Sequence, residues 1–285
     1  MSAAEGLGGG RILVGTNGSA QSEVAVGQGA RLASLTGSKL TLMFVLDQGH
    51  PHEGDAELEA QRVLRRGTEI ANSFGVDVEH VTVAGDPAQS LVGEASELGV
   101  ELICVGADTG LLDKPHRIGR VAAHVVQLAG SSVLVARGTF ERFPSRVLCG
   151  VDGSESSAMT ADVAAQVAAL ADAEFRVIHV IPVFRGGNEE WEVGAGEPVP
   201  PELQPALDRA RARGVQPVLE MAMGRPENAL VEVARRDVAD LVVVGHRGIS
   251  GIQRLLLGSV GEHVTSHAPC SVLVVRPEGR TGSSR

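Results

Sequence analysis

Short continuous runs of β-branched and aliphatic residues alternate along this chain with longer stretches in which apolar residues recur every three or four positions. Such short runs are typical of strands buried on both faces of a parallel sheet. The longer stretches have helical spacing, and they end at glycine or begin at proline. In the first half the predicted strands are 11–16, 39–46, 78–84, 102–105 and 133–136, and the predicted helices are 22–35, 57–74, 87–98 and 122–128. Alternating βα units predict a doubly wound parallel α/β sheet of five strands.

The same pattern then repeats. The segment RVLCGVDGS from Arg146 to Ser154 matches RILVGTNGS from Arg11 to Ser19, displaced by 146 − 11 = 135 positions. Near the end of each half, Gly106 matches Gly245, displaced by 245 − 106 = 139 positions. The four extra residues must therefore lie between the second and third strands of the second half, where 186–201 is rich in Gly, Pro and Glu. We interpret the chain as a tandem duplication.

Domain boundaries follow from the repeat. We expect one domain at 11–140 and a second at 141–278, joined by a short linker near 138–145. The segments 1–10 and 279–285 are dominated by small and polar residues, and we expect both to be disordered.

Composition narrows the class of protein. Among 285 residues, 43% are hydrophobic but only 2% are aromatic, so Val, Leu, Ile and Ala must form the cores. The net charge is −10 and no basic stripe is present, which argues against nucleic acid as a partner. The three cysteines form no C-x-x-C pair, and Cys104 and Cys149 lie in apolar runs, which indicates buried thiols in a reducing cytoplasm. No apolar run of about 18 residues predicts a membrane span, and the amino terminus lacks a signal-peptide core.

A glycine-rich loop after a strand of the second half carries the candidate chemistry. The run 241–244 ends at Gly245, and Gly248, Gly251 and Gly258 follow before Ser259 and a helix predicted at 260–267. Glycines let backbone N–H groups approach a ligand, and a helix start adds unpaired donors and the positive end of its dipole. Ser259 either caps that helix or donates its hydroxyl to a phosphate. The arrangement favours phosphate binding, and the alternative is a loop that only makes turns.

The spacing of these glycines is neither that of a P-loop nor that of a dinucleotide-binding fingerprint. It resembles the signature of ATP-binding universal stress proteins, including the closing Ala268-Pro269-Cys270 before the last strand. Each half also has an Asn-Gly-Ser or Asp-Gly-Ser turn after its first strand. The resemblance implies two sheets of strand order 3-2-1-4-5, in the class of the adenine nucleotide alpha-hydrolases. It also implies that the last strands, 133–136 and 272–275, pair within the chain as a pseudo-dimer, which protects two apolar edges. Further assembly of copies stays open.

The resemblance also implies the nucleotide-binding residues. Asp152 contacts the nucleotide, the backbone of Val180 contacts adenine, and the glycines and serine of the loop hold ribose and phosphates. The expected ATP-binding residues are Val151, Asp152, Gly153, Val180, Gly245, Gly248, Gly258, Ser259 and Val260. Mg²⁺ or Mn²⁺ would neutralise the phosphates, although no metal ligand is identified.

The first half departs from this pattern at three positions. Asn17 stands where the second half has Asp152, Thr109 replaces Gly248, and Arg120 replaces Ser259. Thr109 adds a Cβ where close backbone approach is needed, whereas Arg120 still attracts phosphate. We therefore predict that the first half binds ATP weakly or not at all.

Other candidate sites are weaker. His50, His52, Glu53 and Asp55 form either a metal site or a solvated turn. His263 and His267 share a helix face without an evident third ligand, and Arg247 either neutralises phosphate or lies at the surface. No catalytic motif is recognised, so we assign no catalytic residues.

Three functions remain open. The leading hypothesis is an ATP-binding regulatory protein of the stress response that acts on an unidentified protein partner. The alternatives are a nucleotide-free interaction module and a slow ATPase or adenylate-transferring enzyme. An enzyme would need a positioned base or a cationic clamp.

Overall fold

The computed structural model describes residues 7–47, 55–107, 118–182, 199–246 and 257–276. The chain divides into two compact units. The first comprises Met1–Phe143 together with Arg276–Arg285, and the second comprises Pro144–Val275.

The first unit contains five parallel strands connected by helices. In chain order its elements are β1 (Arg11–Gly15), α1 (Ala20–Thr36), β2 (Lys39–Leu46), α2 (Ala56–Asn72), β3 (Val78–Ala84), α3 (Pro87–Glu97), β4 (Leu102–Gly106), α4 (Arg120–Leu128) and β5 (Ser132–Ala136). The strands lie in the order β3-β2-β1-β4-β5, all parallel. This is the 3-2-1-4-5 order that the resemblance implied.

The second unit repeats the arrangement. Its elements are β6 (Arg146–Val151), α5 (Glu155–Ala171), β7 (Glu174–Pro182), a 3₁₀ turn (Pro201–Leu203), α6 (Gln204–Ala212), β8 (Val218–Gly224), α7 (Pro226–Arg236), β9 (Leu241–Gly245), α8 (Ser259–His267) and β10 (Ser271–Val275). The strand order is β8-β7-β6-β9-β10, again parallel. The predicted doubly wound α/β fold is thus confirmed in both units.

The cores consist of small and branched aliphatic side chains, as the scarcity of aromatic residues requires. Leu13 and Val14 of β1 and Val242 and Val243 of β9 are fully buried because helices cover both faces of each sheet. Close packing also selects glycine inside a helix. A Cβ at Gly29 of α1 would lie 2.8 Å from Cγ2 of Val14, so a larger residue would push the helix off the sheet.

The structure differs from the sequence prediction at some element ends. Helix α4 begins at Arg120 rather than 122, and α8 begins at Ser259 rather than 260. Within the segment 1–10 that we expected to be disordered, the structure describes residues 7–10, where Leu7 is buried and Gly9 N–H donates to Thr36 O at 3.2 Å. Residues 1–6 and 277–285 lie outside the described residues.

Within the part of the chain that the structure describes, none of the helices has both the length and the apolar character needed to cross a membrane.

Candidate functional site

The turn after β6 is held by its own side chains. Oδ1 of Asp152 accepts hydrogen bonds from the Ser154 backbone N–H at 3.0 Å and from the Ser154 hydroxyl at 2.6 Å. Gly153 has φ 83°, a left-handed conformation that glycine adopts without strain. Ser154 in turn caps α5 by accepting from the Ser157 backbone N–H at 3.1 Å. Asp152 is therefore fixed at the carboxyl end of β6.

Backbone hydrogen bonds close the two ends of the glycine loop. His246 N–H donates to Val275 O at 2.9 Å, and Gly258 N–H donates to His246 O at 3.0 Å. His246 and Gly258, on either side of the loop, are therefore held next to each other at the end of β9. Gly248 and Arg247 lie in that loop, outside the described residues.

The start of α8 is an uncapped helix terminus. Its N-cap is Gly258, extended at φ −65° and ψ 152°, and no side chain there accepts from the first turn. The intrahelical ladder begins with Glu262 N–H donating to Gly258 O at 3.0 Å. The N–H groups of the residues before Glu262, including Ser259 and Val260, have no carbonyl partner within the helix. They point with the positive end of the helix dipole towards the end of the strands, which favours an anion.

Ser259 does not cap α8, which was one of the two roles expected for it. Since Ser259 is the first helical residue, the capping position falls on Gly258. The Ser259 side chain is exposed. The other expected role, donation of its hydroxyl to a ligand at the helix start, stays a prediction.

Val180 lies on the strand beside this turn. Strand β7 pairs with β6 so that His179 is in register with Val151, and Val180 follows on the buried side. Nδ1 of His179 lies 3.0 Å from Val151 O, and because a carbonyl only accepts, this nitrogen donates. His179 was not among the residues predicted for the site. The available signal was a polar ring inside an apolar strand, where the first half has Phe44.

Strand pairing brings the two halves of this site together. Strands β6 and β9 are neighbours, with Val147 opposite Leu241 and Cys149 opposite Val243. The turn after β6 and the loop after β9 therefore both start at the carboxyl ends of neighbouring strands, at the point where strand order reverses. This is where open α/β sheets bind ligands. Of the nine predicted residues, all except Gly248 are described, and they lie on β6 and the turn after it, on β7, at the end of β9 and at the start of α8.

Packing supplies a separate reason for glycine at the end of the fourth strand of the first unit. A Cβ at Gly106, which ends β4, would lie 2.6 Å from Gln21 O in the first turn of α1. Only glycine lets the strand end pass this close to the helix. Gly106 is therefore explained without a ligand.

The first unit has an open crevice at the corresponding place, and it contains a cavity of about 580 Å³. Asn17 forms the same turn as Asp152, since its Oδ1 accepts from the Ser19 backbone N–H at 3.1 Å. Helix α4 starts at Arg120 behind Gly119, again without a side-chain cap. Thr109, the expected steric obstacle, lies outside the described residues, so the prediction of weak ATP binding here stays a prediction.

Of the predicted metal cluster at 50–55, the structure describes only Asp55. His50, His52 and Glu53 lie outside the described residues, and Asp55 caps α2 by accepting from Glu57 N–H at 3.0 Å. Within the described ranges no three His, Cys, Asp or Glu side chains are grouped to hold a metal ion.

The two histidines of α8 form a stacked pair. The ring centroids of His263 and His267 lie 4.1 Å apart, and His267 Nδ1 lies 2.9 Å from the His263 carbonyl oxygen. Burial and the neighbouring His267 lower the pKa of His263.

Both cysteines predicted to be buried are buried and outside any disulfide. Burial raises the pKa of the Cys104 thiol, and it raises that of Cys149 to about 12. Neither thiol is a nucleophile in the folded protein, because the thiolate is disfavoured in an apolar core.

Comparison with known proteins assigns the whole chain. The family model described as "Universal stress protein family" matches twice, at residues 10–137 and 144–276. A universal stress protein from Mycolicibacterium smegmatis is 28% identical over 294 aligned positions, which cover 93% of this chain and 97% of that protein. The crystal structure of a universal stress protein from Archaeoglobus fulgidus has a TM-score of 0.73 at 20% identity, covering 94% and 98% of the two chains. A universal stress protein solved in complex with cAMP is 34% identical, covering 47% of this chain and 98% of that one, with a TM-score of 0.38. This chain belongs to the universal stress protein family and contains two copies of its domain.

Proposed function

We propose that this protein is an ATP-binding regulator of the stress response, with the nucleotide held in the crevice of the second unit. The observation that carries the proposal is the uncapped start of α8 behind Gly258, at the strand edge that also holds the Asp152 turn. Membership of the universal stress protein family supports the same ligand.

Each part of the crevice matches one part of the nucleotide. The first-turn N–H groups of α8 and the Ser259 hydroxyl suit the phosphates, because they are donors at the positive end of a helix. The backbone of Val180, at the end of the neighbouring strand, offers hydrogen bonds to adenine. Asp152 supplies a carboxylate for the nucleotide, and its turn places that carboxylate at the end of β6.

The backbone hydrogen bonds at His246 suggest how occupancy would be signalled. Gly258, at the start of α8, donates to His246, and His246 donates to Val275, so a phosphate bound at the start of α8 would also act on the ends of β9 and β10. A protein partner that contacts this end of the sheet would distinguish the ATP-bound form from the free form. Such a switch needs differential affinity for the two forms, not hydrolysis.

Mg²⁺ or Mn²⁺ is proposed as a companion of the phosphates. Divalent cations of this type bind through phosphate oxygens and one or two carboxylates. Asp152 is a carboxylate of the described crevice that suits this role.

The proposal is tested by counting nucleotide. The full chain would be purified and denatured, and the released adenine nucleotide would be quantified by chromatography, followed by calorimetric titration of the emptied protein with ATP and Mg²⁺. We expect about one site per chain, because Asn17 and Arg120 in the first unit replace Asp152 and Ser259 of the second. Hydrolysis in the same solution would be followed by the appearance of ADP.

A matched pair of variants tests which of the two units binds ATP. Gly258→Glu adds a carboxylate at the start of α8, where it would occupy the anion position and repel phosphate. Gly119→Glu makes the same change at the start of α4 in the first unit. We expect Gly258→Glu to abolish ATP binding and Gly119→Glu to leave it unchanged. Equal losses would contradict the assignment to the second unit, and a protein that never binds ATP would favour the nucleotide-free interaction module.

A further inference from the structure

The first unit contains a cavity lined by Asn17 and Arg120, which stand where the second unit has Asp152 and Ser259. We call it the first-unit cavity; it is the space of about 580 Å³ at the carboxyl ends of β1, β2 and β4. Pockets of this size commonly hold small molecules. Its existence does not depend on whether the second unit binds ATP.

The walls of the first-unit cavity are largely apolar. Met43 of β2, Leu91 of α3, Val105 of β4 and Ala122 of α4 all line it, and all four are buried residues of the core. Thr16, Asn17 and Ser22 add hydroxyl and amide groups at the end of β1. The hydroxyls of Thr16 and Ser22 are already engaged with each other at 3.2 Å. An apolar wall with a few polar groups is typical of a site for a ligand with a hydrophobic body.

The charges along the first-unit cavity disfavour a triphosphate. Among the described residues that line it, Arg120 is basic, whereas Asp47 and Glu59 are acidic. Asn17 stands in the turn that holds Asp152 in the second unit. One guanidinium and one helix terminus balance about one negative charge, whereas ATP carries about four.

Arg120 is placed to receive that single charge. It is the first residue of α4, its side chain is exposed, and Gly119 before it supplies no side-chain cap. Within the described parts of the chain, Arg120 has no ion pair or side-chain hydrogen bond. A guanidinium presents two parallel donors to a carboxylate or phosphate, and the helix terminus beside it adds backbone donors.

We propose that the first-unit cavity binds a small amphiphilic anion, with an apolar body against Met43, Leu91 and Val105 and one carboxylate or phosphate monoester on Arg120. The two units of the chain would then hold different ligands, and the substitutions that remove the ATP signature from the first unit would create a second specificity.

The test uses the full chain saturated with ATP and Mg²⁺, so that the second crevice is filled. Octanoate, octyl phosphate and octanamide share one apolar body and differ in the head group, and their dissociation constants would be measured by ligand-observed NMR titration. We expect the anion that fits to bind roughly tenfold or more tightly than neutral octanamide, the scale of one charge-assisted hydrogen bond. Comparing the dissociation constants of octanoate and octyl phosphate then shows whether the cavity prefers a carboxylate or a phosphate.

Variants assign the effect to this cavity. Arg120→Gln should remove the preference for the anion over octanamide, because it deletes the charge and keeps a side chain of similar length. Arg142→Gln makes the same change at an exposed residue that does not line the cavity, and it should preserve the preference. Val121→Phe, at another lining position, should weaken all three ligands by filling the space.

Two results would overturn the proposal: equal binding of the anions and octanamide to the unmodified chain, or an anion preference that survives Arg120→Gln. ATP binding to the variants is measured in parallel. If ATP fails to bind at all, the titrations are run on the nucleotide-free chain, so the loss of the proposed function and the loss of this inference are separate outcomes.

Discussion

Replacing Asp152 by Asn removes a charge from the second crevice while preserving the turn that positions it. The first unit shows that this turn tolerates Asn. Asn17 Oδ1 accepts from the Ser19 N–H at 3.1 Å, and Asp152 Oδ1 accepts from the Ser154 N–H at 3.0 Å. Asp152→Asn is therefore a test of the carboxylate alone, whereas Asp152→Ala would also remove the acceptor that holds Ser154.

The size of the effect follows from the interaction that is lost. A hydrogen bond to a charged group contributes about 1.5–3 kcal/mol, whereas a neutral one contributes about 1 kcal/mol. Replacing the carboxylate by an amide should therefore make the free energy of ATP binding less favourable by roughly 1–2 kcal/mol, which corresponds to a dissociation constant about 5- to 30-fold larger. The free energy of unfolding should change little, because both acceptor bonds at Oδ1 survive.

The assay is calorimetric titration of the full chain with ATP and Mg²⁺, with urea unfolding as the control for the fold. Asn17→Asp is the mirror variant in the first unit, and it should leave the affinity of the second site unchanged. An Asp152→Asn protein that binds ATP within twofold of the unmodified chain would refute the role assigned to this carboxylate. A large loss of folding stability would instead show that the turn, and not the ligand contact, depends on the charge.

Three further predictions concern the fold. Val238 follows α7 in a left-handed conformation, at φ 52°, and is 69% exposed. A left-handed residue that carries a Cβ costs roughly 1–2 kcal/mol. Val238→Gly should therefore raise the free energy of unfolding by that amount, as measured by urea denaturation. Asp240 accepts from the N–H groups of Ser145 at 2.8 Å and Arg146 at 3.0 Å, and Asp240→Ala should cost about 2 kcal/mol by the same measurement, with Asp240→Asn losing less. Because burial raises the pKa of Cys149 to about 12, a disulfide reagent at pH 8 should modify it only after unfolding, and rapid modification of the native chain would contradict its burial.

The hydrophobic pattern predicted the strands well because buried parallel strands need continuous apolar runs. The bounds of β2, Lys39–Leu46, and of β3, Val78–Ala84, agree with the prediction to the residue. The starts of α4 and α8 were placed too late. Arg120 and Ser259 are polar, so the repeat of apolar residues did not include them. Each helix nevertheless begins at the residue that follows an extended glycine, Gly119 or Gly258.

The candidate site was only partly predictable. Resemblance to a family pointed to Asp152 and to the loop from Gly245 to Ser259, and strand order then placed them at one edge of the sheet. The hydrogen bond from His179 to the Val151 carbonyl was not predictable, because it depends on the register between β6 and β7. The capping role offered for Ser259 was wrong for a similar reason, since one residue of shift in the helix start moves the cap to Gly258.

The sequence by itself determined the repeat, the order of strands and helices in each half, and the residues that distinguish the two crevices, because these depend on local periodicity and on residue identity. Three features were decided only by the tertiary structure. A backbone hydrogen bond joins Gly258 to His246 at the two ends of the glycine loop. The end of β4 packs against α1 at Gly106, and Arg120 borders a largely apolar cavity. These features join segments that are distant along the chain. Their geometry depends on strand register and on how closely helices pack on the sheet, which no local pattern specifies.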